Sequence, residues 1–332
     1  YNKSHTNLGF FTEWVEEFSK KFENIIVVSR DIEDSSKIKT IQLDKEGRVL
    51  GFRFIYSLWK TLIKERKNYD AIFVHMIPEY AILAYLPALF LQKKIFLWYT
   101  HGAVSLPLKI SNILVSRIFT ASFDSCKIKS KKVLSVGHGI KIPFGESSDN
   151  LISKDEIKLV TLGRITKSKS IETIIESVLE LKQEGKNVSL EIIGSALSLE
   201  DVDYKRNLEV KIKSLSLADR VKFVDGVPHE EAISKLKNYD VFVSASKTGS
   251  LDKAVLEALG LGIPVVSTNE AFKYILLPFR LFIEKGDSLA KRIKRAVSIS
   301  ETYRVELSKN IEKNHSLDRL IEIISKEIKS VF

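Results

Sequence analysis

Short apolar runs rich in β-branched residues recur along the chain, separated by segments whose apolar residues fall at three- and four-residue spacing. In the first half, "NIIVVSR" (24–30), "AIFVHM" (71–76), "IFLWYTH" (95–101), "RIFTAS" (117–122) and "KVLSVGHG" (132–139) predict buried strands. "FFTEWVEEFSKKF" and "FRFIYSLWKTLIKER" predict amphipathic helices between them. The polar stretch "DNLISKDE" (149–156) interrupts this pattern, and the alternation restarts. "IKLVTLG", "VSLEIIG", "VKFVDG", "DVFVSAS" and "IPVVST" read as strands, with helical patterns between successive ones. Strands alternating with helices predict parallel sheets covered on both faces. The expected class is therefore α/β, with two Rossmann-like parallel-sheet domains facing a cleft, 1–148 and 149–332. The amphipathic end, "YRVELSKNIEKNHSLDRLIEIISKEIKSVF", is assigned to the second domain, with a return to the first as the alternative. In such sheets ligands sit at the carboxyl ends of strands, where loops lead into helix N-termini.

The 332 residues leave room for two cores of ordinary size. The longest apolar window, "YAILAYLPALFLQKKIFLWY", is broken by Pro87 and by Lys93–Lys94, so it reads as a helix followed by a strand rather than a membrane span. The chain opens at Tyr1 and its one methionine is Met76, which predicts that the natural start, and with it a first strand, lies upstream. A single cysteine, Cys126, excludes an internal disulfide and a cysteine-rich zinc site, and fits a reducing cytosol. The net charge of +10 is uneven: residues 1–150 hold 22 basic against 15 acidic side chains, and residues 151–332 hold 30 against 27. The densest basic run is "CKIKSKK", ending at Lys132. It is either a solvated lysine face or a means of attracting an anionic membrane surface. No aromatic-interleaved basic stretch or zinc-finger spacing accompanies the charge, so no nucleic-acid partner is expected.

Three loops carry candidate chemistry. In "LGRITKSKSIETI" (162–174), Gly163 permits a tight turn, Arg164 offers a planar fork and Lys169 a point charge, beside the free N–H groups of a helix start. These residues suit a diphosphate, although Arg and Lys also line ordinary loops. In "EIIGSAL" (191–197), Gly194 ends the next strand, either as a turn glycine or to let a ligand approach the backbone. In "SASKTGSLDKAVLEALGLGIPVVST" (244–268), Ser246, Thr248, Gly249 and Ser250 form a loop expected to enter a helix at about Leu251. Glu257 lies about two turns in. It either accepts ligand hydroxyls or pairs with Lys253 at i, i+4. Its place on a helix between two buried strands favours the ligand.

Taken in order, Arg164 and Lys169, Gly194, "FVDGVP", Tyr239, "DVFVSAS", Glu257-Ala258 and "GLGIPVVST" resemble the nucleotide-binding domain of retaining, family 4 glycosyltransferases of the GT-B fold. The resemblance is strong over residues 155–270 and weaker before, at "GFFTEWVEEF", "LWYTHG" and "VGHGIKIPF". It implies that Arg164 and Lys169 hold the donor diphosphate and stabilise the leaving group, and that Glu257 binds the ribose of the nucleotide. It implies that the Thr248–Leu251 loop touches donor sugar and phosphates, with Asp252 and Lys253 nearby, and that Gly9 lies near the phosphates. His101, at a first-domain strand end, would face the reacting sugar. His75 and His138 also sit at strand ends but carry a weaker case.

One departure stands out. Relatives carry an acid eight residues before the ribose-binding Glu, and here Gly249 occupies that place, with Asp252 and Lys253 as nearby substitutes. That puts the identity of the donor sugar in question more than the fold. The resemblance implies transfer from a UDP- or GDP-sugar to a hydroxyl of a glycan or lipid-linked acceptor, with no cofactor and no metal, at the cytoplasmic face of a membrane. A non-catalytic nucleotide-sugar-binding module and a nucleotide-sugar epimerase are the alternatives. Asp201 and Asp203 mimic a metal-binding Asp-X-Asp, but their place at a helix entry predicts favourable charge at an N-terminus instead.

Overall fold

The computed structural model describes residues 10–30, 38–43, 51–144, 156–247 and 249–332, the side chains of Phe10 and Phe11 excepted. By their contacts the residues group into two compact units, Tyr1–Gly139 with His315–Phe332, and Ile140–Asn314.

The first unit runs α1 (Phe10–Ser19), β1 (Ile26–Ser29), β2 (Lys39–Gln42), α2 (Phe52–Lys64), β3 (Ala71–His75), α3 (Pro78–Phe90), β4 (Lys94–Trp98), α4 (Leu106–Leu114), β5 (Arg117–Thr120) and β6 (Val133–Ser135). Strands β3 to β6 lie in sequence order in one parallel sheet, and β1 pairs in parallel with β2. The pleat sorts side chains between two faces. Ile95, Leu97 and Tyr99 share a core with Phe54 and Leu58 of α2, three alanines of α3 and Leu108 of α4. Phe96 and Trp98 point the other way. There Phe96 stacks on Phe119 with ring centroids 6.1 Å apart, and Trp98 meets Trp14 of α1 at 4.8 Å.

The second unit runs β7 (Ile157–Leu162), α5 (Ile171–Gln183), β8 (Val188–Ile193), α6 (Leu199–Ser214), β9 (Val221–Val224), α7 (His229–Leu236), β10 (Val241–Ser244), α8 (Lys253–Gly260) and β11 (Val265–Ser267). A short α9 (Lys273–Leu276), α10 (Leu289–Val297) and α11 (Glu301–His315) follow. Its five strands are all parallel, in the order β11-β10-β7-β8-β9. Every residue of β10 and β11 is buried, the pattern of strands with both faces covered. In α5, Ile171, Ile174, Ile175, Val178 and Leu181 form the buried stripe that three- and four-residue spacing predicts. At α6, Ser198 and Asp201 close a reciprocal capping box, so Asp201 acts as a helix-entry group.

The last helix, α12 (Leu317–Lys329), packs along α1 and belongs by contacts to the first unit. Its buried stripe includes Leu317, Leu320, Ile321 and Ile324. Glu327 accepts from Arg117 of β5 at 3.1 Å. Gly139, at φ +72°, lies where a Cβ would stand 3.0 Å from the Trp14 ring and 3.1 Å from Leu320. The contacts divide the chain after Gly139 and group its last helix with the first unit. An apolar stripe demands burial without specifying a partner, and α1 supplies the matching face.

At the carboxyl edge of the second sheet, β7 and β8 end side by side. The Gly163 N–H donates to Ile193 O at 3.0 Å, and the Gly194 N–H to Val224 O at 2.9 Å. A Cβ on Gly194 would lie 1.8 Å from the Gly163 carbonyl oxygen, so the strand ends close up only because glycine stands there. Gly194→Ala is expected to lower the stability of this unit by about 1–3 kcal/mol through forced backbone movement. A urea midpoint equal to wild type would refute that contact.

His315 is buried with its Nδ1 lacking a hydrogen-bond partner; burial first, then the charges of His138 and Arg319, hold its pKa down to about 4. Burial, with His138 adding, brings His75 down to about 3. Unfolded histidine titrates at about 6.5, so on acidification the unfolded chain takes up these protons first. Their contribution to stability is whole above about pH 6.5 and is lost as pH falls from there towards 4 for His315 and towards 3 for His75. For His315 the loss is on the order of 3 kcal/mol. The urea midpoint should drop across this window, and His315→Gln should flatten the drop.

Candidate active site

Beyond Leu162 the chain turns at Gly163, exposes Arg164, buries Ile165 and makes a 3-10 turn over Lys167–Lys169. Ser170 adopts left-handed backbone angles, φ 46° and ψ 48°, and redirects the chain into α5. The first amide of that helix, Ile171 N–H, donates to the Tyr204 hydroxyl of α6 at 2.9 Å. This reversal brings Lys169 back over the strand end, where its Nζ lies 3.6 Å from the position a Gly163 Cβ would take. Gly163, Arg164 and Lys169 line one small cleft together with Thr161 and Ile192.

The start of α8 meets this cleft. Asp252 is the N-cap of α8: its Oδ1 accepts from Ala254 N–H at 3.3 Å, and its Oδ2 pairs with Lys169 Nζ. The helix thus opens at Lys253, two residues later than the sequence predicts, because the Asp252 carboxylate takes up the first-turn amide. Before it, Leu251 is buried, and Ser250 O accepts from Asn269 Nδ2 at 2.9 Å. Asn269 is itself buried, with its Oδ1 accepting from Ala271 N–H at 3.1 Å. On the other side, Lys247 N–H donates to Ser168 O at 3.0 Å. Gly249 lies between these anchors at φ +67°, and a Cβ placed there would meet nothing within 4 Å. That backbone conformation favours glycine, so the position where relatives are expected to carry an acid has a local geometry suited to its absence.

Glu257 is buried, about one turn inside α8. Its Oε1 accepts from His229 Nε2 at 2.7 Å and lies 3.5 Å from Lys253 Nζ. Burial alone would raise its pKa. The His229 hydrogen bond and the Lys253 charge outweigh that and hold the carboxyl below the usual range, so it is ionised at neutral pH. The ion pair with Lys253 is therefore real, but it is one half of a buried three-residue arrangement.

His229 and Asn269 join the site without having been expected from sequence. His229 opens α7 directly after Pro228, at the same carboxyl edge, which is the signal that could have found it. Asn269 follows β11 in "STNEAF" and caps the next turn, a recognisable cue. His101 is exposed beyond β4 in the first unit, its ring 6.4 Å from that of Tyr99, whose hydroxyl donates to Ala103 O at 2.8 Å. Gly9 and Thr248 lie outside the described residues. The second unit therefore gathers Gly163, Arg164, Lys169, Gly194, Asp252, Lys253 and Glu257 at one sheet edge. Cationic side chains beside helix starts suit a multiply charged anion, and an ionised buried carboxylate suits neighbouring hydroxyls.

The family model for the group 1 glycosyl transferases matches residues 146–315, half of the chain. The chain is 24% identical over 170 residues to the alpha-monoglucosyldiacylglycerol synthase of Streptococcus pneumoniae, covering 51% of this chain and 35% of that one. It is 26% identical over 260 residues to the capsular polysaccharide biosynthesis glycosyltransferase CapM of Staphylococcus aureus, covering 74% of this chain and 64% of CapM. The chain thus spans between about a third and two thirds of the length of these curated relatives. The crystal structure of Alr3699/HepE from Anabaena in complex with UDP and glucose matches 99% of this chain and 97% of its own, at a TM-score of 0.77 and 14% identity. That likeness is one of fold. The chain belongs to the group 1 glycosyl transferases and has the α/β architecture of the GT-B fold.

Proposed function

We propose that this protein is a retaining glycosyltransferase, moving a hexosyl group from a UDP- or GDP-sugar to a hydroxyl of a lipid-linked or polysaccharide acceptor, without a metal ion. The observation that carries the reading is the double use of α8. Its N-cap, Asp252, holds Lys169 beside Gly163, and its interior presents the ionised Glu257. A diphosphate would take Arg164 and Lys169 as its counter-charges, and the ribose hydroxyls would donate to Glu257. HepE, of the same fold, binds UDP and glucose. The name of CapM points to a capsular polysaccharide and that of the pneumococcal synthase to a glucosylated diacylglycerol, which supports an acceptor of one of those kinds.

The chemistry is a front-side displacement. The bond between the anomeric carbon and the diphosphate oxygen breaks, the acceptor oxygen bonds to that carbon on the same face, and the departing phosphate oxygen takes the acceptor's proton. Charge grows on the diphosphate as it leaves, so Arg164 and Lys169 act where stabilisation counts most. Lys169 is paired with Asp252, which keeps it in place for the phosphate.

The test is nucleotide release from UDP-, GDP- and ADP-sugars, with and without membrane extract as acceptor source and with and without a chelator. One donor should support release, unaffected by the chelator. Arg164→Ala should lower kcat by about 100-fold, and Glu257→Gln should chiefly raise the donor KM. Nucleotide binding by calorimetry without release from any donor would replace the transferase with a binding module. Product formation without acceptor would indicate an epimerase.

A further inference from the structure

Two donors serve the Glu257 carboxylate, one from its own helix and one from another. Lys253 opens α8, and His229 opens α7. Both meet the same oxygen: His229 Nε2 stands 2.7 Å and Lys253 Nζ 3.5 Å from Glu257 Oε1. An ionised carboxylate can only accept, so the shorter contact is a hydrogen bond donated by the imidazole, which places a hydrogen on Nε2. A carboxylate gripped at one oxygen from two directions has its plane set. Oε2 is then the oxygen that a ligand's hydroxyls can use.

The chain brings His229 to this place by a constrained route. Strand β9 ends at Val224, and Asp225 and Gly226 follow it, both exposed. A Cβ on Gly226 would lie 2.6 Å from Ser195 Oγ, so the turn passes close against the residue that follows Gly194. Pro228 then takes the N-cap position of α7, and its carbonyl accepts from Ala232 N–H at 2.9 Å. Ala232, Ile233 and Leu236 are buried and anchor the helix from behind. The His229 side chain is 28% exposed and that of Glu257 only 4%. The imidazole therefore reaches inward from the surface to a group that is itself almost shut off from water.

A hydroxyl donating to a carboxylate needs an oxygen aimed at it, and a carboxylate free to turn loses that aim. Lys253 supplies charge, but its ammonium ends a flexible stem that starts on the same helix as Glu257. The imidazole is rigid and comes from a second helix. We propose that His229 is a positioning residue for the nucleotide, holding Oε1 so that Oε2 faces the ribose, an assignment that rests on Glu257 being the ribose-binding group. The preference for a ribonucleotide then depends on a side chain that acts through Glu257.

The test is calorimetric binding of UDP and GDP, each beside its dideoxyribose analogue, to wild type, His229→Phe, His229→Ala and His229→Gln. Wild type should bind one ribonucleotide about tenfold or more tighter than its analogue, as a hydrogen bond to a charged acceptor warrants. His229→Phe keeps a ring without a donor, and His229→Ala keeps neither. Both should bring the two affinities to within about threefold of each other. His229→Gln keeps a donor and should restore most of the preference. Two variants without a donor are used so that one with a lowered urea midpoint does not decide the result. A preference that survives in whichever of them folds would overturn the assignment of His229 and leave the ribose reading of Glu257 standing. So would a preference lost in all three variants alike, because the donor would then not be what matters. Wild type that binds a nucleotide without distinguishing it from its analogue, or binds neither nucleotide, would refute the ribose reading and this assignment together.

Discussion

A carboxylate shut away from water persists in its charged form only if positive or donating groups surround it. Glu257 meets that requirement through His229, twenty-eight residues earlier, and Lys253, one turn earlier. The compensation has an architectural effect. Helix α8 is buried along Ala254–Gly260, and the Glu257–His229 hydrogen bond joins it to α7. Sliding α7 by one turn would leave the carboxylate short of its strongest partner. The position of α7, the turn after β9 and the orientation of α8 therefore depend on one another through a single carboxyl group.

A second constraint works through size rather than charge. The contact between Gly194 and the Gly163 carbonyl lets two strand ends lie closer than any side chain permits. The chain leaving Gly163 then has room to fold back, and the left-handed Ser170 completes the reversal that delivers Lys169 to Asp252. The same carboxylate caps α8. One aspartate thus settles where a helix begins and where a lysine rests, and it does so beside the loop pinned from behind by Asn269. Rigid scaffolding under a flexible-looking Ser/Thr/Gly segment is what ligand-binding loops require.

Much of this is legible in the residues. The apolar runs at 241–244 and 265–267 announce strands covered on both faces, and the structure buries every position of both. Strand β2 escapes the pattern because "KTIQ" alternates weakly and stays half-exposed at a sheet edge. Helix α10 escapes it for a different reason. Its four buried residues keep helical spacing, but four cations among nine residues hide the stripe. Arg164, Lys169 and Glu257 stand out because each sits at a strand end or on a short helix between strands, where topology gathers ligand contacts. The Glu257 pairing with His229 is not legible, since local spacing says nothing about a partner on another helix. Nor can an amphipathic pattern reveal which surface α12 covers.

That last placement has a consequence for the order of assembly. The chain is made from its amino end, and a folding unit closes when its final piece becomes available. The partner of α1 is the last helix, so the first unit to be started is the last to be finished. Residues Ile140–Asn314 can complete their own sheet while Trp14 and Val15, both buried in the finished protein, still wait for α12. A nascent chain in that interval carries α1 against Trp98 on one side and bare where α12 will pack, which is the species a chaperone would meet.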